Sequence, residues 1–569
     1  MRLLFSLAFR CLVLPLRRWL MALLAGATAL LVVTGAQAFD PAQSKITVQG
    51  TGQVEVYING QYMGRSANAT RLAAYARALV VGDNTIALRA TSSTGANPFA
   101  VADLNGKFGR MGSGVLWRAK LAAGSEVSGP AGPWAQPGYN DSGWPTAVDL
   151  GGGLPNGFPG GGPARKVWVA GGAYGTVLLR ANLYVPATVS SAPLGFGAQV
   201  TGGAGGSTVV VTTPQALRDA LCGSFSGSTC TDNTPRIVQV KGTIDFTGSE
   251  GTQTKLGCYT AQCTAPMKSE RLALLNDADT HCDGKPKFNV TFDKAGATPL
   301  TIGSNKTLVG LGNSATIRGK GVSVSRGASN VVIRNLTFRD LNAGVVFAGD
   351  AITLNDADRV WIDHNRFNRI GRQMIVAGYG KASNVTISWN DFDGTNDYSP
   401  YCNGKHYWNL LLIGNADSIT FASNWVHHFS GRAPDVGSGT GSSLMHLVNN
   451  AFDDGFWHAL DAHQPARVLV EGNHFGNVSV PIIDSSDAGY VWAPLTQVSD
   501  SAQQNCRTFL GRNCTANISE PVPQDNNFRQ DLTVLDYFKK FAPAGGGLTP
   551  FSGDQARRSA PFFAGAGHY

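Results

Sequence analysis

From Asn330 onward the chain repeats one short phrase. SNVVIRNLTF, DRVWIDHNRF, SNVTISWNDF, DSITFASNWV, SLMHLVNNAF and ARVLVEGNHF each alternate apolar and polar residues and then run into an asparagine, mostly with a phenylalanine two or three residues further on. The asparagines are Asn335, Asn365, Asn390, Asn424, Asn450 and Asn473, spaced by 23 to 34 residues. Alternation with period two is the pattern of a strand, and self-similarity at roughly 20–50 residues marks an architecture of stacked repeats. The units are too short for helical pairs and lack a leucine-rich consensus. What remains is a right-handed parallel β-helix, in which each coil lies on the last and aliphatic side chains fill a narrow interior. Equivalent asparagines then stack in a ladder, their amides satisfying one another and the turning backbone.

Ahead of the repeats the chain changes character. Residues 1–38 read as an export signal, with Arg17 and Arg18 closing a basic region. They are followed by an apolar run, Leu20 to Val33, of roughly fourteen residues and a small-x-small site at Ala36-Gln37-Ala38. Residues 39–190 hold short β-branched or aromatic runs (ITVQG, VEVYING, NTIALRA, KVWVAG, TVLLRANLYVP) bounded by Gly and Asn-Gly, the signature of antiparallel strands. Only Arg71–Leu79 suggests a helical turn. An antiparallel β-sandwich of jelly-roll type is therefore expected there, making the whole protein all-β. WAQPGYNDSGWPTA in that region resembles the galactose-binding-like modules appended to many glycan-active enzymes. Trp134, Tyr139 and Trp144 are then either sugar-stacking rings or core. Residues 191–206, rich in Gly and Ala, read as a flexible linker or domain entrance, and 207–569 as the β-helix domain. Thr213 followed by Pro214 predicts a helix start, and that helix would close the open end of the coil stack, where bare strand edges invite aggregation. From about residue 485 the repeat is lost, and the tail is expected to fold back along the helix surface.

Composition narrows the function. Charged residues make up only 15% of the chain and Gly accounts for 70 of 569 residues, as in β-rich exported proteins rather than helical cytosolic ones. The net charge of +8 suits solubility or attraction to an acidic polymer. No basic cluster or recognisable module points to nucleic acid. Cys11 lies in the signal. The remaining eight cysteines all follow residue 200 and contain no CxxC pair, which favours disulfides over zinc.

The stretch from Gly349 to Pro434 carries the chemistry. GDAIT, VWIDH, IGRQ, YCNGKHYW, SGRAP and, further on, CRTFLGRNC occur in that order. This set closely resembles polysaccharide lyase family 1, the pectate and pectin lyases, over roughly residues 195–520, and within it the pectin lyase branch. The resemblance implies β-elimination on α-1,4-linked, methyl-esterified galacturonan in a secreted enzyme. A base removes the proton α to the ester, negative charge develops on the ester oxygens, and the C4–O bond breaks. It assigns the base to Arg432, the oxyanion stabiliser to Arg372, and to Asp350 the fixing of Arg372. Calcium requires about six to eight oxygen ligands, and no acid lies between His364 and Asp391; the resemblance to pectin lyases implies that the Arg372 guanidinium replaces the metal, and no cofactor is expected. Free arginine has a pKa of about 12.5 or more, so a neutral Arg432 at pH 8 costs on the order of 6 kcal/mol. A neighbouring cation and desolvation reduce that, and an alkaline optimum follows. Tyr407 and Trp408 match aromatics of the pectin lyase cleft. Lys405, His406 and Phe347 complete the expected substrate contacts, although Phe347 replaces a tryptophan, and the segments around CYTAQC and before Cys282 lack others. The resemblance further implies the bridges Cys258–Cys282, Cys263–Cys402 and Cys506–Cys514. Cys222 and Cys230 are then left to pair with each other or elsewhere.

Two rival readings are a calcium-dependent pectate lyase acting on polygalacturonate and a non-catalytic β-helix that binds polysaccharide. Asp363 and His364 read as braces of the coil. His427, His428, His446, His458 and His463 follow the coil spacing rather than a ligand set, so no metal is expected. A monomer acting on a pectin or polygalacturonan chain, with another cell-wall glycan at the first module, completes the picture.

Overall fold

The computed structural model describes residues 44–568 except 68–69, 93–97, 107–108, 113–116, 152, 157, 159–163, 187–191, 261–262, 264–266, 277–279, 438–440, 524–526 and 542–547. The export signal read in residues 1–38, and parts of the two segments expected to lack cleft tryptophans, lie outside the described residues.

The coil stack consists of three runs of parallel strands. In the first, Val331, Val360, Val385, Ile419, Met445, Val468 and Val491 stand in register, one per coil, and Ile333, Ile362, Ile387, Phe421, Leu447 and Val470 form a second file two residues on. In the second run, Phe338, Phe367 and Phe392 stack nearly face to face, with centroids 5.6 and 5.0 Å apart. In the third, Ile352, Ile375 and Leu410 align. These files are buried together in one continuous interior. A side chain of period two alternates between interior and surface, which is why each repeat is aliphatic at alternate positions only.

The asparagine ladder joins the first run to the second. Asn365 Nδ2 donates to Asn390 Oδ1 (3.1 Å), and the same contact continues through Asn424, Asn450 and Asn473. Each oxygen also accepts a backbone N–H from the neighbouring coil. Two corrections arise. Asn335 is not a rung. Arg334 pairs with Asp363, so Leu336 holds the ladder position, and Asn335 turns with φ 57° to donate to Gly310 and Gly312 carbonyls. The ladder instead gains Asn517, which accepts from Asn473 at 2.9 Å. That rung belongs to strands Tyr490–Trp492 and Ile518–Glu520, which continue the stack past residue 485. The helix Asp500–Leu510, inserted between these strands, stretches the spacing to 44 residues and hides the repeat.

At the other end, Thr213 accepts the Ala216 N–H and starts the helix Pro214–Leu221, whose Leu217 and Leu221 cap the interior. Residues 192–206 are no free linker. Phe196 and Gly197 donate their N–H groups to Thr420 and Thr386, and Thr201 and Gly202 donate to Asn330, strapping the segment along the coil stack. The glycines permit the approach, since a Cβ on Gly203 would meet the Arg236 carbonyl oxygen at 2.0 Å.

Residues 45–185 form two antiparallel five- and six-stranded sheets. Arg71–Leu79 contains the strand Leu72–Tyr75 followed by one short turn, closed by the Leu79 N–H on the Ala76 carbonyl at 3.1 Å. Trp134 and Trp144 are buried and pack with Tyr57 and Leu178, so they are core rather than a sugar platform. The C-terminal helix Gly553–Phe563 lays Phe562 and Phe563 into the apolar core of these sheets, where Phe563 meets Trp389 of the coil stack edge-on at 5.8 Å. The cysteines are joined as Cys222–Cys230, Cys258–Cys282, Cys263–Cys402 and Cys506–Cys514. The Cys263–Cys402 bridge ties the excursion before residue 270 to the loop that precedes KHYW.

Candidate active site

The turn that leads into the third run of strands carries the charged residues. Asp350 precedes Ile352, Arg372 precedes Ile375, Tyr407 precedes Leu410 and Arg432 precedes Asp435, and these strands follow one another in the stack. Coils repeat at about 4.8 Å, so the backbones of Arg372 and Arg432 lie two rungs apart, roughly 10 Å, with Tyr407 on the rung between them. The fold thereby brings three residues spread over 83 positions of sequence to one edge.

Asp350 is largely buried. Its Oδ2 accepts from Arg372 Nη1 at 2.8 Å and its Oδ1 from the Gln373 N–H at 2.9 Å. Burial pushes this carboxyl above its ordinary range, opposed by the Arg372 charge. The pair fixes the guanidinium, whose other side lies 5.0 Å over the Phe347 ring. Phe347 has φ 69°, a strained conformation for an aromatic residue. Arg432 lies over Tyr407 at 5.7 Å and forms an ion pair with Asp435, Nε 3.1 Å from Oδ2. With the Gln373 amide turned so that its oxygen faces Arg432, that oxygen accepts from Arg432 Nη1 and its nitrogen donates to the Trp408 carbonyl, each at 3.3 Å. Gln373 thus connects the two arginine rungs.

Other residues of the turn have supporting places. His406 is buried, and its Nε2 lies 2.7 Å from the Arg372 carbonyl and 3.0 Å from that of Trp408. Burial lowers its pKa to about 4, leaving a neutral ring that donates. The expected substrate contact is therefore corrected: His406 braces the backbone beneath Arg372. Lys405 is engaged by Asp454, with Nζ 2.7 Å from Oδ1. Asp363 and His364 lie at the opposite corner of the coil, paired at 2.6 Å and bonded to Ser388, with no reach to this cleft.

Several further participants were not assigned to this site from the sequence. Asp435, three residues after Arg432, has its carboxyl pushed up to about 6 by burial, against the pull of Arg432, with Asp461 adding to the rise. Beside it His463 is raised to about 9, first by its hydrogen bond to Asp461. His458 is buried and held at about 4 by burial. Tyr401, Phe456 and Trp457 expose 39%, 49% and 38% of their surface and form a chain of ring contacts with Tyr407. The strand Ala451–Ala462 shifts register between Gly455 and His458, where Phe456 and Trp457 turn outward. Gly431 is required by close packing, since a Cβ there would sit 2.5 Å from the Tyr407 ring and 3.0 Å from His458 Nε2. Gly431→Ala should therefore displace Tyr407 and Arg432 together. We expect kcat to fall at least tenfold with a melting temperature lowered by only a few degrees, measured by uronide release and calorimetry.

A parallel β-helix with two arginines and a largely buried aspartate on one edge suits a polysaccharide lyase, and the relatives of the chain place it in that class. The family model described as "Pectate lyase" matches residues 271–503. "Probable pectin lyase E" of Aspergillus fumigatus is 43% identical over 338 residues, covering 58% of this chain and 83% of that protein. "Probable pectin lyase F" of Neosartorya fischeri is 44% identical over 316 residues, covering 55% and 78%. Among solved structures, a pectate lyase from Bacillus sp. N165 in complex with trigalacturonate has a TM-score of 0.40 at 20% identity, covering 66% of this chain and 99% of that one. The chain belongs to the pectin lyase family.

Proposed function

We propose that this protein is a secreted pectin lyase that cleaves methyl-esterified α-1,4-galacturonan by β-elimination without calcium. The observation that carries the reading is the Arg372–Asp350 pair: the carboxylate that could contribute to a calcium site is bonded to a cation of the chain itself. A methyl ester is neutral and cannot be bridged by calcium as a carboxylate is. It does accept a charge-assisted hydrogen bond, and that bond strengthens as the carbonyl oxygen gains charge in the transition state. Arg372 supplies it. Arg432, two rungs away across Tyr407, takes the C5 proton. Tyr407, Trp408 and the exposed rings of Tyr401, Phe456 and Trp457 give an apolar floor suited to methylated sugars. The four disulfides agree with an oxidising compartment, as does the signal read in residues 1–38.

The test is release of unsaturated uronide from highly methylated pectin and from polygalacturonate, each with and without EGTA. The expected result is activity on methylated pectin at least tenfold above that on polygalacturonate and indifferent to EGTA. Activity confined to polygalacturonate and abolished by EGTA would sink the reading and make this a calcium-dependent pectate lyase.

A further inference from the structure

We propose that Asp393, His427 and His428 form a binding site for a zinc-class divalent ion on the second run of strands. Their ligand atoms all lie within 4.8 Å of one another. Asp393 and His427 are register partners on adjacent strands. Phe392 and Val426 fill the interior, so Asp393 and His427 stand on the outer face, and the ladder sets their spacing.

The local bonding prepares His427 as a ligand. Its Nε2 lies 2.8 Å from Asp391 Oδ1, to which it donates. This is the carboxylate–imidazole arrangement that fixes the tautomer of metal-bound histidines and raises the basicity of the other nitrogen. That nitrogen, Nδ1, faces His428 Nδ1 at 2.7 Å. Two ring nitrogens so placed share either a proton or an ion. The His427 ring is also stacked on Trp425, centroids 3.7 Å apart and tilted by 16°, and Trp425 is held by Asp453. His428 has φ 55° and donates its backbone N–H to Asp453. A left-handed conformation at a non-glycine residue is retained where the surroundings impose it, and here it aims the ring at His427.

The surroundings are net acidic. Asp391, Asp393, Asp453 and Asp454 face the pair. Arg366 bonds Asp393 Oδ2 at 2.8 Å and Lys405 bonds Asp454, so two of the four charges are balanced. Asp393 also accepts the Thr395 N–H. Zinc with nitrogen and oxygen ligands at about 2.0–2.1 Å needs ligand atoms roughly 3.3 Å apart. The His–His pair must therefore open by about half an ångström, which the half-exposed His428 can supply. Two imidazoles and one carboxylate favour zinc over calcium, which seeks an all-oxygen shell.

The site lies off the turn that carries the arginines, and its test does not depend on catalysis. Full-length protein is stripped with chelator, dialysed, and titrated with zinc chloride by calorimetry, with metal content measured after gel filtration. One zinc per chain with micromolar or tighter affinity is expected, together with a melting temperature raised by a few degrees. His428→Ala, at an exposed position where folding is not in question, should weaken binding at least tenfold, and Asp393→Asn should do likewise. Absence of stoichiometric zinc, or zinc binding unchanged in His428→Ala, would overturn the proposal and leave the pair sharing only a proton. Calcium chloride in place of zinc should produce no heat and no change in melting temperature.

Discussion

Replacing Arg432 by alanine should lower uronide release from methylated pectin by about 10³-fold, within the span general-base catalysis contributes, with the fold retained. The sharper variant is lysine. A free lysine has a pKa about two units below that of arginine. If residue 432 must be neutral to take the C5 proton, Arg432→Lys should keep some activity and move the rising limb of the pH profile to lower pH. A cation that merely binds substrate would lose activity without moving the limb. Asp435 sharpens the test further. Its carboxylate, 3.1 Å from Arg432 Nε, favours the charged guanidinium, so Asp435→Asn should shift the limb in the same direction. In the native protein activity should rise into the alkaline range. Stability there has an opposing slope. His463 is raised to about 9 in the folded state, so its pairing with Asp461 is fully present below the ordinary histidine pKa of about 6.5 and is lost as pH rises through 9.

The second large effect belongs to Arg372. Arg372→Ala should cost about 10²–10³-fold in kcat, the range measured for a single oxyanion donor, and Arg372→Lys should recover little, because an ammonium cannot hold Asp350 and offer a second planar N–H to the ester. Alanine at 372 also leaves the Asp350 carboxylate largely buried with only the Gln373 N–H as a partner. Some stability is lost with it. The double variant Asp350→Ala, Arg372→Ala should regain most of that stability and none of the activity. Steady-state kinetics and thermal melts on the three variants separate the two roles. If the double variant regained activity along with stability, the pair would be structural.

Much of the architecture was legible because it is periodic. Alternation of apolar residues and a recurring asparagine identify a coil that stacks on its neighbour, and Thr213-Pro214 marks the capping helix. Where an insertion interrupts the period, the reading fails. Asn517 is a full rung of the ladder, yet the helix Asp500–Leu510 pushed it beyond the recognisable spacing. Asn335 fits the spacing and is not a rung, because the register is set by strand pairing one residue away. The glycine-rich run at 191–206 looked like a linker, but absent side chains serve equally well for close contact with a strand.

The site divides in the same way. The sequence alone determined the residue types: two arginines and an aspartate in motifs that match the lyases, in a region poor in calcium ligands. Their convergence was decided by the tertiary structure, since only the stacking of coils puts Asp350, Arg372, Tyr407 and Arg432 on successive rungs of one edge. The same stacking removed His406 from the surface, turned Lys405 toward Asp454, and set Asp435, Gln373 and the exposed rings of Phe456 and Trp457 around the arginines. A strand's pattern tells which side chains leave the interior. It does not tell which neighbour from another coil each one meets, because that depends on register between coils and on the insertions that connect them.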